Sequence, residues 1–268
     1  MAKLNWQRQH IILTGAAGGL GAELAEQLSA LGARVLLLGR TETSVQDLAQ
    51  RLQQPYLTAD VTDARGQQQL LDYVELWQHT KTPVTALINN AAVNSAGMLS
   101  QQSTNDIAQV IQVNLIAPMQ LSALLMPYLN QKQGWILNVG SVFGSIGYPG
   151  QSLYCAAKFG LRGFTQALQR ELGTHSIRVM YCAPRAIATS LNDPLTTAMN
   201  DATGSSVDSA GKVASKIIKQ IADAKPHQVL GWPEKFFAWL NGAMPGVVAS
   251  SMKTPRKILY RLTQELGK

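Results

Sequence analysis

The chain has few of the residues that build disulfide frameworks and metal sites. Its two cysteines, Cys155 and Cys182, are not spaced as a ligand pair, and two thiols make no disulfide framework. The four histidines are scattered, without a His-x-x-x-His spacing. We therefore expect no metal site.

Charged residues are also scarce, at 15% of the chain against 46% hydrophobic residues. This balance excludes a disordered chain and indicates a large buried core. The start, Met-Ala-Lys-Leu-Asn-Trp, lacks the apolar segment of a signal peptide. No uninterrupted apolar run reaches the ~18 residues of a membrane span. These absences predict a cytoplasmic protein.

Acidic residues are outnumbered, since 23 Lys and Arg against 16 Asp and Glu give a formal charge of +7. A basic chain can attract phosphate-rich partners. Through the first 230 positions the cations are dispersed, which argues against nucleic-acid binding. We expect part of the charge to meet an anionic cofactor and the rest to be solvated.

Short apolar runs alternate with amphipathic stretches along the chain. The predicted strands are His10–Thr14, Arg34–Gly39, Tyr56–Ala59, Val84–Asn89, Trp135–Gly140, Ile177–Ala183 and Gln228–Leu230. The predicted helices are Ala22–Leu31, Thr43–Gln53, Arg65–Trp77, Ile107–Met126, Ser152–Gly173 and Ser209–Ala222. Apolar strands that alternate with helices indicate a parallel sheet covered on both faces. We predict an α/β fold, a single doubly wound Rossmann-type domain with about seven strands.

Two segments fall outside this alternation. The polar stretch from Pro184 to about Asp208 is predicted to be a lid or binding loop. Residues 1–231 are expected to form the dinucleotide-binding and catalytic unit, and residues 232–268 an apolar and basic C-terminal extension. For the extension three roles stay open: a cap over the pocket, a subunit contact, or docking on lipid.

A glycine-rich turn joins the first predicted strand to the first predicted helix. It reads Thr14-Gly15-Ala16-Ala17-Gly18-Gly19-Leu20-Gly21. Such glycines allow a tight turn, admit a pyrophosphate close to the backbone, and let the helix pack on the strand. The N–H groups at the helix start favour an anion. The predicted dinucleotide-binding residues of this turn are Gly15, Ala17, Gly18, Gly19, Leu20 and Gly21.

The end of the second predicted strand indicates which dinucleotide is preferred. An acidic residue there usually binds the ribose 2′-OH of NAD, whereas an arginine suits a 2′-phosphate. Here the strand ends in Gly39-Arg40-Thr41, with no acid at its tip. Arg40 can pair with a phosphate and Thr41 can add a hydroxyl donor. The pattern favours NADPH; the alternative is that Arg40 is a solvated loop cation.

Tyr154 and Lys158 lie four positions apart in a predicted helix, so their side chains share one face. A phenol has a pKa of about 10 and is a poor acid–base catalyst at neutral pH. We expect the nearby ammonium to stabilise the phenolate and to lower the pKa of Tyr154. Ser141 ends the fifth predicted strand, at the sheet edge where ligands bind in open α/β folds.

In order and spacing, these segments resemble the classical short-chain dehydrogenase/reductase family over roughly residues 8–230. The motifs that carry the resemblance are Thr14–Gly21, Asp60-Val61, Asn89-Asn90-Ala91-Ala92, Asn114, Ser141 and the pair Tyr154 and Lys158. The resemblance implies a nicotinamide cofactor that supplies the hydride, and a dimer or tetramer.

The resemblance also implies a catalytic role for four residues. Tyr154 would be the general acid/base, and Lys158 would lower its pKa and hold the nicotinamide ribose. Ser141 would orient the substrate oxygen. Asn114 would hold a water that links Lys158 to solvent.

Further residues would contact the cofactor by the same resemblance, in addition to Tyr154 and Lys158. Asp60 and Val61 would touch the adenine. Asn89 and Ala91 would line the adenosine-ribose side of the groove.

The segment after the sixth predicted strand departs from the family pattern, because Pro184-Arg185 stands where Pro-Gly is usual. Pro184 and Thr189 are still expected at the cofactor, Thr189 on the carboxamide side of the nicotinamide. Arg185 could recognise an acidic or carbonyl group on the substrate, pair with a cofactor phosphate, or turn to solvent. A second departure, Ala92 for the usual glycine, is expected to be minor.

The sequence thus predicts an NADP(H)-dependent oxidoreductase that transfers a hydride between the nicotinamide and a carbonyl or alcohol. The apolar C-terminal extension favours a hydrophobic substrate, such as a fatty-acyl or related lipid carbonyl. The alternative is a non-catalytic NADPH sensor, or a membrane-associated scaffold, on the same fold. We expect a homo-oligomer in the cytoplasm, or one held peripherally at the inner face of a membrane through residues 232–268.

Overall fold

The computed structural model describes residues 4–79, 83–129, 134–173 and 177–265. Seven parallel strands form one sheet in the order β3-β2-β1-β4-β5-β6-β7. The strands are β1 (His10–Thr14), β2 (Arg34–Gly39), β3 (Tyr56–Thr58), β4 (Ala86–Asn89), β5 (Trp135–Val139), β6 (Arg178–Ala183) and β7 (His227–Val229). The predicted doubly wound sheet is confirmed, with strand ends that differ by one or two residues.

Helices connect the strands and continue beyond β7 in the described ranges. They are α1 (Gly19–Ala30), α2 (Glu42–Leu52), α3 (Ala64–His79), α4 (Thr104–Ile111), α5 (Ala117–Leu125), α6 (Ser152–Leu172), α7 (Pro194–Thr203), α8 (Ala210–Ala222), α9 (Glu234–Ala243), α10 (Pro245–Ser251) and α11 (Lys253–Glu265). The segment predicted as a polar loop therefore contains α7, whose N-terminus is capped by the Asp193 carboxylate. The C-terminal extension is helical.

Alternate residues of each central strand enter different cores, as the two-residue period of a strand requires. Ile11 and Leu13 of β1 pack in the core beneath α1, α2 and α8. Ile12, between them, packs in the core beneath α3, α5 and α6. Because both faces are covered, the strands are apolar throughout. Polar side chains that can take part in chemistry therefore lie at the carboxyl edge of the sheet.

The helical stretch from α4 through α5 is interrupted by a π-helical turn at Gln112–Ile116. By length and composition alone, Thr104–Tyr128 could cross a membrane. Its residues Ala117, Leu121 and Leu125 instead pack in the core against the sheet. Its apolar composition is therefore that of a core helix.

Candidate active site

The glycine-rich turn between β1 and α1 depends on close backbone contacts. Gly15 has φ +63°, and a Cβ there would lie 2.8 Å from the Cα of Ala91. A Cβ on Gly21 would overlap the carbonyl oxygen of Gly15. Gly18 is the N-cap of α1 and provides no side-chain cap, so the first N–H groups of the helix are open to a ligand.

Two side chains that the sequence analysis did not single out fasten this turn to the loop after β4. The hydroxyl oxygen of Thr14 accepts hydrogen bonds from the N–H groups of Asn90 and Ala91, each at 3.0 Å. The Asn90 amide donates to the carbonyl oxygens of Thr14 and Gly15, at 3.0 and 3.1 Å. The turn is thus held rigidly at the carboxyl edge of the sheet.

A cavity of about 710 Å³ opens at this edge, a size usual for ligand sites. The predicted site residues that line it are Gly15, Gly18, Gly19, Leu20, Gly21, Arg40, Asp60, Val61, Ala91, Ser141, Tyr154, Lys158, Pro184 and Thr189. Four others are not among its lining residues: Ala17, Thr41, Asn89 and Asn114. A dinucleotide and its substrate require one cavity that reaches from the glycine turn to Tyr154. This cavity meets that requirement.

Asn89 and Asn114 are not among the residues that line the cavity, and their side chains are bonded within the protein. The Asn89 amide is buried and donates to the Oδ1 of Asn138 at 2.8 Å. Asn114 lies in the π-helical turn, and both polar atoms of its side chain bond the backbone of Val93, at 2.7 and 2.9 Å. Both asparagines satisfy buried polar groups, and Asn114 also fixes Val93 on the cavity wall.

Arg40 lies on the cavity wall where β2 ends. Its side chain is 54% exposed, and its nearest described carboxylate, Asp60, is 4.0 Å away. Thr41 is exposed at the N-terminus of α2 and caps it with no side-chain hydrogen bond. Burial acts to raise the pKa of Asp60, but hydrogen bonds from Thr62 and the charge of Arg40 lower it overall. Arg40 is loosely held and can turn towards a phosphate.

Ser141, Tyr154 and Lys158 come together on the opposite wall. The Ser141 side chain is close enough to the Tyr154 phenol to act on its pKa, which it lowers. The Nζ of Lys158 lies 5.5 Å from the centre of the Tyr154 ring and donates to the carbonyl oxygen of Val139 at 3.0 Å. The hydroxyl of Ser141 also accepts from the N–H of Phe143, which fixes its rotamer.

The pKa of Tyr154 moves in the direction opposite to the one expected. Burial raises it above the usual value of a phenol, and the Tyr181 phenol adds to the increase. Burial also lowers the pKa of Lys158 to about 8. The sequence places a cation near the phenol but does not show that both groups leave water, and here desolvation is the larger effect.

Tyr181 in β6 is a site residue that the sequence analysis missed. Its ring is fully buried. The hydroxyl lies 3.4 Å from the carbonyl oxygen of Ser141 and 3.5 Å from its N–H. A Cβ on Gly140 or Gly144 would overlap this phenol. In the sequence, Gly140 and Gly144 could have indicated this contact, because residues without a side chain leave room for a ring beside the backbone of Ser141.

Arg185 is engaged with carboxylates, so the structure supports none of its three expected roles. It donates to both oxygens of Asp208, at 3.1 and 2.8 Å, and it lies 3.4 Å from Glu234. It also donates to the carbonyl oxygen of Trp232 at 3.1 Å. Only 17% of its side chain is exposed. Arg185 joins the loop after β6 to the start of α9.

The C-terminal extension forms part of the cavity wall. Glu234, Phe237, Ser251 and Met252 line it together with residues of the catalytic unit. Asn241 in α9 donates to the carbonyl oxygen of Ser145 at 2.8 Å, four residues from Ser141. The side of the cavity away from the glycine turn is thus closed by α9 and the end of α10.

The cavity fits a nicotinamide dinucleotide. The glycine turn packs so closely that a Cβ on Gly15, Gly19 or Gly21 would collide with other protein atoms, and the uncapped start of α1 lines the cavity. The Cγ2 of Thr189 would lie 2.7 Å from a Cβ on Gly19, so the loop after β6 closes directly on the turn. In the described ranges no group of three or more His, Cys, Asp or Glu residues is arranged to hold a metal.

Comparison with known proteins agrees with this geometry. A family model described as short chain dehydrogenase matches residues 9–200. The 3-oxoacyl-(acyl-carrier-protein) reductase FabG of Haemophilus influenzae is 33% identical over 188 residues, covering 69% of this chain and 76% of the relative. Nodulation protein G of Rhizobium sp. strain N33 is 33% identical over 220 residues, covering 76% and 86%.

Solved structures show the same fold. A short chain dehydrogenase/reductase from Burkholderia phymatum in complex with NAD superposes with a TM-score of 0.81, at 21% identity, over 91% of this chain and 96% of that chain. A short chain dehydrogenase from Burkholderia cenocepacia in complex with NADP gives a TM-score of 0.76, at 22% identity, over 87% and 100%. These two proteins carry different cofactors on one fold.

Proposed function

The chain belongs to the short-chain dehydrogenase family of oxidoreductases, and we propose that it is an NADPH-dependent reductase of an apolar carbonyl compound. The observation that carries the proposal is one cavity whose wall includes the glycine turn on one side and Ser141, Tyr154 and Lys158 on the other. A non-catalytic NADPH sensor has no need of a serine and a tyrosine together on the cavity wall beside a buried lysine.

Proton transfer in the reducing direction starts from a protonated Tyr154. Burial raises the pKa of this phenol, so its donation to the developing alkoxide needs a nearby charge that stabilises the phenolate. Ser141, fixed by Phe143 and Tyr181, orients the carbonyl oxygen. Lys158 remains largely charged at pH 7 with a pKa of about 8, and it stabilises the phenolate that the transfer leaves. A bound nicotinamide supplies the hydride.

The proposed water link between Lys158 and solvent needs a holder other than the Asn114 side chain, which Val93 occupies. We assign that role to the backbone of the π-helical turn, where the regular i to i+4 bonding is displaced. Turns of this type are frequent at functional sites.

NADPH is the proposed cofactor because of the state of Arg40. Its side chain is exposed on the cavity wall and has one long contact, to Asp60. A 2′-phosphate would offer it a shorter, charge-assisted pair. Ala17 and Thr41 keep their proposed cofactor contacts, through the backbone of the turn and the free hydroxyl respectively.

An uncharged, apolar substrate is proposed from the lining of the substrate side. Phe143 and Tyr148 are stacked there, with ring centres 5.0 Å apart, and Phe237 and Met252 of the extension face the same cavity. Arg185, the cation on this part of the described wall, is already paired with two carboxylates. A substrate carboxylate would have to displace them, whereas a ketone or aldehyde on an apolar body would not.

We propose that the enzyme works in the cytoplasm as a homo-oligomer, without nucleic acid, and that residues 232–268 can touch the inner face of a membrane. The helical extension closes the cavity, which supports the role of a cap.

Oxidation of NADPH by a panel of ketones and aldehydes of increasing apolar size tests the proposal, with Tyr154→Phe as the decisive variant. The variant removes the proton donor and keeps the ring, so we expect kcat to fall by about 10²–10⁴-fold. NADPH affinity, measured by fluorescence titration, should change little. Tyr73→Phe, in α3 outside the cavity lining, is the matched control.

Undiminished turnover in Tyr154→Phe would refute the assigned proton donor. NADPH binding with no turnover of any carbonyl by the wild-type protein would favour the sensor instead.

A further inference from the structure

Helix α9 has two faces with different surroundings. Residues 234, 237, 238 and 241 follow the i, i+3, i+4, i+7 spacing of one helix face. Glu234 and Phe237 line the cavity, Ala238 is buried against Val142 and Ile146, and Asn241 is bonded to the loop after Ser141. All four residues of this inner face thus contact the cavity or the residues around Ser141.

The outer face carries large apolar side chains in solvent. Trp232 and Trp239 are 69% and 65% exposed, and Phe236 lies between them, 6.5 and 6.0 Å from their ring centres. Positions 236, 239 and 243 keep the helical spacing of a single stripe. Trp232 precedes α9 and joins the stripe by stacking on Phe236. Met244 and Val247, at the corner between α9 and α10, extend it and are exposed as well. These six residues are called the outer apolar stripe.

The segment that carries this stripe has charges of one sign. From Lys235 to Gln264 the chain has five cations and no acidic residue. The cations are Lys235, Lys253, Arg256, Lys257 and Arg261, and all five are exposed. Glu234 and Glu265, which flank the segment, each face an arginine, Arg185 and Arg261 respectively. A segment with exposed tryptophans and an excess of exposed cations complements an apolar layer covered by anionic headgroups.

We propose that the outer apolar stripe docks on a lipid surface that carries anionic headgroups. The tryptophans and Phe236 would enter the interface between headgroups and acyl chains, and the five cations would meet the phosphates. A second copy of this chain is a poorer partner, because an isologous contact would bring the five cations of one copy near those of the other. Since α9 also closes the cavity, the docked enzyme would have its apolar pocket one helix away from the lipid.

Co-sedimentation of the full chain with vesicles tests this proposal without any turnover, so it stands or falls apart from the proposed reaction. Vesicles of phosphatidylcholine with about one third phosphatidylglycerol should bind the wild-type protein, and pure phosphatidylcholine should bind it at least tenfold more weakly. Trp239→Gln/Met244→Gln should weaken binding to the anionic vesicles at least tenfold. The matched control is Leu76→Gln/Leu99→Gln, two side chains that are 62% and 58% exposed elsewhere.

The electrostatic part has its own pair of variants. Lys253→Gln/Lys257→Gln should weaken binding and flatten its dependence on salt, since polybasic attraction is screened. Arg65→Gln/Arg170→Gln removes the same charge from exposed positions of α3 and α6 and should not. Thermal melting of each variant shows whether it remains folded.

Three results would overturn the proposal. One is wild-type protein that stays in the supernatant with anionic vesicles. Another is equal binding by Trp239→Gln/Met244→Gln. The third is sedimentation equilibrium without lipid in which that variant splits a wild-type oligomer, since the stripe would then be covered by a second copy.

Discussion

Arg40 lines the cavity where β2 ends, and Arg185 lines it where β6 ends. Arg40 is 54% exposed and has one carboxylate at 4.0 Å, whereas Arg185 is 17% exposed and holds Asp208 through two hydrogen bonds. Two arginines that line one cavity thus have different roles. A cation is available to a ligand only when its protein partners are distant, and by that measure Arg40 is available and Arg185 is not.

The same contrast extends to the two regions around these arginines. The catalytic side is fixed by backbone fit, with a phenol of Tyr181 seated where Gly140 and Gly144 have no side chain. The cap side is fixed by side-chain pairs that join Arg185 to Asp208 and Glu234. A site that is fixed by close packing against the backbone cannot accommodate an added atom, whereas an ion pair between side chains can be weakened gradually by substitution. We therefore expect the two sides to respond differently to substitution.

Gly140→Ala should have the largest effect. Its Cβ would overlap the Tyr181 ring, so either the ring or the backbone of Ser141 must move. Overpacking of a core costs about 1–3 kcal/mol of unfolding free energy. We also expect kcat to fall, because Ser141 shifts relative to Tyr154. Denaturant unfolding and steady-state kinetics measure the two effects.

The double variant Gly140→Ala/Tyr181→Val separates the steric overlap with the Tyr181 ring from the positioning of Ser141 by the Tyr181 hydroxyl. If overlap with the ring is the cause, the double variant should lose less stability than the two single variants together, with a coupling of about 0.5–3 kcal/mol. Its kcat should stay low, since the hydroxyl near Ser141 is gone. Additive losses would contradict the proposed contact. Gly163→Ala, with no atom near the added methyl, controls for the change itself.

Arg185→Gln should have an intermediate effect, on the cap side. It leaves two mostly buried carboxylates without their main cation, and we expect a loss of about 1–3 kcal/mol in unfolding free energy. The KM for an apolar carbonyl should rise more than kcat falls, because α9 is held less firmly. Lys219→Gln, which breaks an exposed pair with Asp223, should cost less than about 1 kcal/mol.

Arg185→Lys distinguishes a structural pair from a substrate contact. Lysine keeps the charge but cannot make the two parallel hydrogen bonds to Asp208. A structural role predicts that stability stays low in this variant. Recovery of KM for a carboxylate-bearing substrate, with stability unchanged throughout, would show instead that Arg185 meets the substrate.

The sequence was informative where backbone geometry demands a residue type. The glycine turn, Ser141 at a strand end and the Tyr154–Lys158 spacing are local patterns, and the structure brings them to one cavity. The sequence was uninformative about contacts between residues that are far apart along the chain. The partners of Arg185 lie 23 and 49 positions away, and no local pattern marks them.

The sequence also did not predict in which direction side chains point or which of them are buried. Asn89 and Asn114 are the residue types expected, but their amides turn to the interior, which depends on neighbours across the sheet. Tyr181 looked like one more apolar residue of β6. The pKa of Tyr154 was expected to fall because a lysine is near in sequence, while the burial that raises it follows only from the assembled core.

Arg40→Ala should have the smallest effect and should leave the structure intact, because the side chain is exposed and loosely paired. A charge-assisted contact to the 2′-phosphate is worth about 1.5–3 kcal/mol when well shielded, and solvent screening reduces this at an exposed site. We expect NADPH to bind about tenfold more weakly, with NADH affinity and the melting temperature unchanged. Fluorescence titration at low and high salt measures the difference, which should shrink as salt rises.

Arg65→Ala removes an equal charge from an exposed site outside the cavity lining and should alter neither cofactor. If it weakens NADPH as much as Arg40→Ala does, the preference comes from the overall charge of +7 and not from Arg40. If the ratio of NADPH to NADH affinity is unchanged in Arg40→Ala, Arg40 is no more a ligand-binding arginine than Arg185. The contrast between the two arginines would then concern their protein partners alone.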